Sequence, residues 1–265
     1  MGNVSMAELA IYTTLSIPTL YILVKHGPPG YLGWFYLITF FSLRIIGGVL
    51  SLTGNSAASI VSNIGISPLL LAAAGILHEA RVYRNRDLDP KIEWIKVLLY
   101  HFHVTGGVAL LAIGASRLQG SNPAPSDLTL VKVGLAILTV AWVVLAGWAG
   151  VSLRPLASLN VANPQRAGTM LLFSVLFSAI FIGIRVIYSL VTVTSGAASI
   201  NPNTASLAVQ VLLQLLPELI AALTFVAVGA STRNVWGASK AEAGRGPQAP
   251  HDSELKGRRR TADVV

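Results

Sequence analysis

Seven stretches of this sequence are apolar over lengths that suit a helix crossing a lipid bilayer. Such a helix needs about 20 predominantly apolar residues, and each stretch reaches that length with few charges. The pattern predicts an all-α fold, a polytopic membrane helix bundle with seven transmembrane helices. The predicted spans are 6–24, 32–53, 57–79, 96–116, 128–151, 168–194 and 207–231.

The composition supports this class and excludes others. Charged residues make up 11% of the chain, against about 25% in an ordinary soluble protein, so a soluble domain of this size would lack a polar shell. The chain has no cysteine, which excludes disulfides, cysteine metal sites and thiol nucleophiles. We interpret the net charge of +8 as loop bias and contact with membrane lipids, and we expect no nucleic-acid partner.

The distribution of Lys and Arg predicts the orientation. Fifteen of them fall in the segments on one side of the seven spans, whereas Arg117 and Lys132 alone fall on the other. Because basic loops stay in the cytosol, we expect the N-terminus outside and the C-terminus in the cytosol. Asn3 opens a glycosylation sequon on the outer side. The membrane is expected to be the plasma membrane or the endoplasmic reticulum.

The composition changes after the seventh span. Residues 1–232 form the predicted transmembrane domain, and residues 233–265 are rich in charge, Ala, Gly, Pro and Ser, which indicates a disordered basic cytosolic tail. The other sizeable cytosolic surface is predicted to be a charged loop, 80–95. A cytosolic partner would bind at this loop or at the tail.

Three charged residues lie near the middle of predicted spans, where a charge costs about 2.5–3.5 kcal/mol on insertion scales. They are Arg44, Arg185 and Glu218. Two cations and one anion suit an internal ion-pair cluster, because an Arg fork can hold a carboxylate by two hydrogen bonds. The cluster would be either a structural clamp between helices or the binding site of an anionic or carbonyl-bearing ligand.

Further polar residues fall at similar depth. Gln210 and Gln214 precede Glu218 at a spacing of four, which places all three on one helix face, and Tyr188 follows Arg185 by about one turn. These positions predict one polar cavity in the outer half of the bundle. The candidate site comprises Arg44, Asn63, Arg185, Tyr188, Gln210, Gln214 and Glu218.

Other polar residues gain no specific role. His101 and His103, at a spacing of two, lie on different helix faces and cannot share one metal or haem iron, so we predict no metal and no cofactor. Glu8 would either reach water at the outer end of the first span or join the cavity. Pro217 predicts a kink beside Glu218.

Four segments, 42–48, 63–75, 181–188 and 216–219, resemble an uncharacterised family of fungal seven-helix membrane proteins known as a domain of unknown function. The resemblance spans about residues 6–232. It implies the fold and a fungal source, and it brings no activity. A looser likeness is to the fungal RTA-like lipid-translocating exporters.

These observations predict a protein that binds, transports or senses a small apolar or amphipathic, lipid-like molecule. One alternative is a membrane-embedded enzyme of the terpene-cyclase type, in which a buried carboxylic acid protonates the substrate. Two neighbouring arginines would hold Glu218 ionised, which argues against it as the proton donor, while Glu8 has the better environment. Another alternative is an accessory protein of a fungal biosynthetic pathway.

Overall fold

The computed structural model of the chain describes residues 2–55, 57–85, 88–153, 163–196, 206–237 and 240. Of residues 2, 3, 59, 62, 63 and 163 it describes the backbone alone. The predicted sites at Asn3 and Asn63 therefore have side chains outside the described set.

The described residues are helical, with no strand among them, which confirms the all-α class. Most predicted spans correspond to one helix within a few residues. The helices are α1 (Gly2–His26), α2 (Tyr31–Leu52), α3 (Ala57–Ile64), α4 (Ile66–Arg84), α5 (Pro90–Leu118), α6 (Pro125–Val151), α7 (Asn163–Ser195), α8 (Leu207–Gln210), a π-helical turn (Val211–Leu215) and α9 (Leu216–Thr232).

Six helical stretches are long and apolar enough to cross a membrane, which indicates a multi-pass membrane protein. They are Val4–His26, Tyr31–Leu52, Pro90–Leu118, Pro125–Val151, Pro164–Ser195 and Leu207–Gly237. The predicted third span, 57–79, is not among them. It is divided between α3 and α4, and α4 continues to Arg84 and so includes Glu79 and Arg81.

The division at Gly65 follows from Pro68. Proline has no backbone N–H, so the carbonyl of Ile64 loses its usual donor four residues later. The Ser67 hydroxyl donates to that carbonyl at 2.7 Å instead. The Ile64 carbonyl therefore keeps a hydrogen-bond partner at the point where α3 ends.

The predicted tight connection between the second and third spans is present. Gly54 has a φ of +70°, a conformation that glycine adopts without strain. The Asn55 side chain then accepts the N–H of Ala57 at 2.9 Å and starts α3.

Helix α4 lies in the middle of the bundle. Every residue from 66 to 77 is buried, and α4 packs against α2, α5, α6 and α7. It approaches α2 closely, since a Cβ on Gly75 would lie 2.4 Å from the Gly33 nitrogen. These two glycines let the two backbones meet directly.

The prediction of a charged loop over residues 80–95 is wrong, because most of this segment is helical. Helix α4 ends at Arg84 and α5 begins at Pro90. The Asp89 side chain caps α5 by accepting the N–H of Lys91 at 2.8 Å. Charged side chains had suggested a solvated loop, but several of them pair across the two helix ends.

The chain continues to pack on the bundle just after α9. Val235 is partly buried against the core, and the Trp236 ring lies against Gly27, within 2.8 Å of where a Cβ would be. The first residues of the predicted tail thus contact the end of α1. Residues 241–265 lie outside the described residues, and their disorder stays a prediction.

Candidate functional site

Arg44, Arg185 and Glu218 are in direct contact. Glu218 Oε1 accepts a hydrogen bond from Arg44 Nη2 and another from Arg185 Nε at 2.7 Å. All three side chains are buried, with at most 3% of any of them exposed. We call these three residues the arginine–glutamate cluster. It links α2, α7 and α9.

The cluster lies well inside the bundle, toward the end at which α1 begins. With the helical stretch from Leu207 to Gly237 counted as one helix, its members are roughly 12 to 17 Å from the nearest helix ends at about 1.5 Å per residue. The absence of a side chain at Gly65 leaves room for it, because a Cβ there would lie 3.3 Å from the Arg44 guanidinium. An aromatic ring also lies beside each arginine, Phe40 5.5 Å from Arg44 Cζ and Tyr188 5.8 Å from Arg185 Cζ.

The backbone around Glu218 is irregular. Pro217 cannot donate to the carbonyl of Leu213, and the turn before it is π-helical, with the Leu216 N–H bonded to Val211 O. Such π turns are frequent at functional sites. The wider turn also rotates the residues before it around the helix axis. A spacing of four therefore no longer places Gln210 and Gln214 strictly on the same face as Glu218. Both are partly buried.

Some polar atoms at the cluster are buried without a hydrogen-bond partner among the described residues. They include Arg185 Nη2 and the Tyr12 hydroxyl. The rest of the Arg185 guanidinium is engaged, since Nη1 donates to Ser189 Oγ. Because an unpaired buried donor costs about 1–3 kcal/mol, an acceptor oxygen that reached either atom would be stabilised.

Glu8 belongs to the same region. It is partly buried and interacts electrostatically with Arg44, Arg185 and Glu218. Tyr12 follows it by one helical turn and packs against Phe40 and Phe41. With Glu8 included, the region has two arginines and two carboxylates. Its net charge is therefore less positive than that of Arg44, Arg185 and Glu218 alone.

A second buried network, which the sequence reasoning missed, lies at the opposite end of the bundle. His26 Nδ1 is 2.5 Å from Glu79 Oε1, and Trp34 Nε1 donates to Glu79 Oε2 at 3.0 Å. His26 Nε2 lies 2.9 Å from the carbonyl of Gly229, which can only accept. His26 Nε2 therefore carries a hydrogen, and a further hydrogen lies between Nδ1 and Oε1. We call His26, Trp34, Glu79 and the Gly229 carbonyl the histidine–glutamate network.

A third polar group joins the ends of α4, α5 and α6. Arg81 forms a bidentate pair with Glu93, at 2.9 Å for each bond, and donates to Ser152 Oγ at 2.7 Å. Lys96 donates to Glu93 at 2.7 Å. These residues include much of the charge that had predicted a loop.

The histidines predicted to have no metal role contact backbone carbonyls. His101 Nδ1 lies 2.7 Å from Val97 O, and His103 Nε2 lies 3.2 Å from Ile137 O. No group of three potential metal ligands occurs within the described ranges.

Comparison with known proteins identifies a family but no activity. The family model of a domain of unknown function, DUF7702, matches residues 1–235, which agrees with the expected likeness to an uncharacterised family. No curated protein and no solved structure matches the chain.

Proposed function

The chain belongs to the DUF7702 family, and because a domain of unknown function brings no activity with it, we propose a function from the geometry of the arginine–glutamate cluster. The protein binds a small amphipathic, lipid-like molecule there and acts as its sensor or transporter. The ligand presents a carbonyl or carboxylate oxygen to the cluster and its apolar part to the surrounding rings.

The observation that carries the proposal is the pair of buried donors without a partner among the described residues. Arg185 Nη2 can only donate, whereas the Tyr12 hydroxyl can donate or accept. In the proposal one ligand oxygen accepts a hydrogen bond from both groups. Since Glu8 and Glu218 offset the two arginines, a neutral carbonyl suits the site as well as an anion.

The proposal includes the predicted topology. Seven spans, with α3 and α4 together forming the third, would place the N-terminus outside and the C-terminus in the cytosol. The cluster would then face the outer half of the membrane. The uneven distribution of basic residues supports this orientation.

The sharpest test is Tyr12→Phe. The Tyr12 hydroxyl bonds to no described residue, so its removal should not lower the unfolding temperature of the purified protein, and loss of an unpaired buried group should if anything raise it. It should weaken binding of a carbonyl ligand about three- to tenfold, the value of one hydrogen bond. Decanoate, methyl decanoate and decanol serve as probes, and their dissociation constants are measured in detergent by microscale thermophoresis.

Arg185→Gln extends the test, with Arg117→Gln as its matched control. Arg117 is 64% exposed and lies outside the cluster, so its loss should leave probe binding intact. If Tyr12→Phe binds every probe as well as the wild type does, the ligand proposal is wrong. The cluster would instead be a structural clamp if three results came together. Tyr12→Phe would fold, Arg185→Gln would be degraded, and neither variant nor the wild type would bind a probe.

A terpene-cyclase-type enzyme is the second candidate. Partly buried Glu8 lies one turn from Tyr12, whose ring packs on Phe40 and Phe41, and aromatic faces stabilise cations. Glu218 is the weaker acid candidate, because both arginines donate to it. Incubating membranes with prenylated substrates would test this, with Glu8→Gln beside the wild type. A product formed by the wild type and lost in Glu8→Gln would favour the enzyme.

The accessory role in a biosynthetic pathway and the fungal source stay predictions. Deleting residues 238–265 tests whether the tail holds a partner surface. Val235 and Trp236 should be kept in that deletion, because they pack on the bundle. Pathway output that survives the deletion would count against the tail as the partner site.

A further inference from the structure

A groove of about 460 Å³ lies between α5 and α6, away from the arginine–glutamate cluster. Its long walls are mostly apolar, and the Tyr100 hydroxyl on them donates to the Ala141 carbonyl. One end of the groove is lined by Lys96, Arg81 and Trp148, and the other end by His103. Between them the walls include Leu99 and Val144.

The apolar part of the groove is open to the surroundings. Leu99 is 65% exposed and Val144 is 49% exposed. From Lys96 to His103 the groove follows seven residues of α5, or about 10 Å at 1.5 Å per residue. An exposed apolar channel of this length suits the first part of a fatty acyl chain.

The mouth of the groove is basic. Arg81 and Lys96 share one carboxylate, Glu93, so this end keeps one positive charge in excess. The Lys96 ammonium has three hydrogens and is bonded to Glu93 through one of them. With 45% of its side chain exposed, it can reach an external anion. Trp148, at 5.8 Å from Arg81 Cζ, is of the type that gathers at the membrane surface.

We propose that this groove is a binding site for one anionic phospholipid. The phosphate binds at Lys96, supported by the charge of Arg81, and one acyl chain lies along Leu99 and Val144. In the proposed topology the lipid comes from the cytosolic leaflet, where anionic lipids and basic helix ends attract each other. The site is independent of the ligand proposed for the arginine–glutamate cluster.

The test is native mass spectrometry of the full chain from micelles that contain dioleoyl phosphatidylserine and dioleoyl phosphatidylcholine in equal amounts. The wild type should retain one phosphatidylserine. Lys96→Gln should reduce that retention about fivefold, the effect of one basic residue near an anionic surface. The matched control is Lys91→Gln, which removes the same charge from an exposed position outside the groove.

The acyl part is tested separately. Val144→Phe fills the groove and should also reduce phosphatidylserine retention, whereas Val143→Phe, at an exposed position that does not line it, should not. Equal retention of both lipids, an equal loss in Lys91→Gln and Lys96→Gln, or displacement by soluble glycerophosphoserine would each overturn the proposal. The last outcome would show a phosphate site that does not use the groove.

Discussion

Buried ionisable side chains are the most informative residues of this protein. In a lipid-embedded bundle a buried charge must have a partner, and the two least exposed acids among the described residues, Glu79 and Glu218, each have more than one. Glu218 accepts from two arginines, and Glu79 contacts His26 and Trp34. Each acid is therefore a junction between helices that are distant in sequence.

Replacing Glu79 tests the histidine–glutamate network. In Glu79→Gln the amide can donate to His26 Nδ1 and accept from Trp34 Nε1, so we expect a loss of less than about 1.5 kcal/mol, one ordinary hydrogen bond. In Glu79→Leu both groups lose their partner, and we expect about 3–5 kcal/mol, the cost of breaking a buried pair. The unfolding free energy in detergent, measured with denaturant, separates the two.

The comparison includes its own control, since both variants remove the charge. Equal losses in Glu79→Gln and Glu79→Leu would show that charge, and not hydrogen bonding, stabilises this network.

Part of the site could be predicted from the sequence at this scale. Depth within a span identified Arg44, Arg185 and Glu218, because charges there are rare. Tyr12 was missed although it lies well inside α1, since an uncharged tyrosine within a span is also an ordinary packing residue. Glu79 was missed because the predicted span ended at that residue, and a terminal charge needs no partner.

At the scale of elements, α4 differs from its neighbours. It is buried along most of its length and therefore packs through small residues, as helices in membranes do. At Gly75 its backbone lies directly against Gly33 of α2.

Gly75→Val should disrupt this packing. Its Cβ would lie 2.4 Å from the Gly33 nitrogen and 2.5 Å from its Cα, and backbone atoms cannot move aside as side chains do. We expect a loss of about 3 kcal/mol, the upper end of the range for overpacking, measured as the unfolding free energy in detergent. Gly147→Val is the control, because no described atom lies within 4 Å of its Cβ position. Similar losses in both variants would contradict the close contact.

The helices were largely predictable, and their ends were not. Runs of apolar residues located the spans, but α4 and α5 extend beyond them into charged segments. Arg81 and Glu93 pair across these extensions, and a pair between two helices leaves no pattern along either one. The break at Gly65 depends on the combination of Pro68 with Ser67, and the hydropathy of the sequence gives no sign of it.

At the scale of the whole molecule, orientation is the property to test. The chain has no cysteine, so a single introduced cysteine reports its own location. With the N-terminus outside, Ser121→Cys in the connection between α5 and α6 should react with a membrane-impermeant maleimide on intact cells. Ser253→Cys should react only after permeabilisation. The reverse pattern would overturn the orientation and, with it, the cytosolic origin of the groove lipid.

The bond between His26 and the Gly229 carbonyl has a consequence for biosynthesis. Helix α1 leaves the ribosome long before α9. The His26 imidazole therefore has no bond to the Gly229 carbonyl until translation is almost complete. A chain arrested after α7 would hold His26 beside Glu79 with its second nitrogen unpaired in lipid. Membrane quality control, which recognises exposed polar groups, should therefore degrade such truncated chains and spare the finished protein.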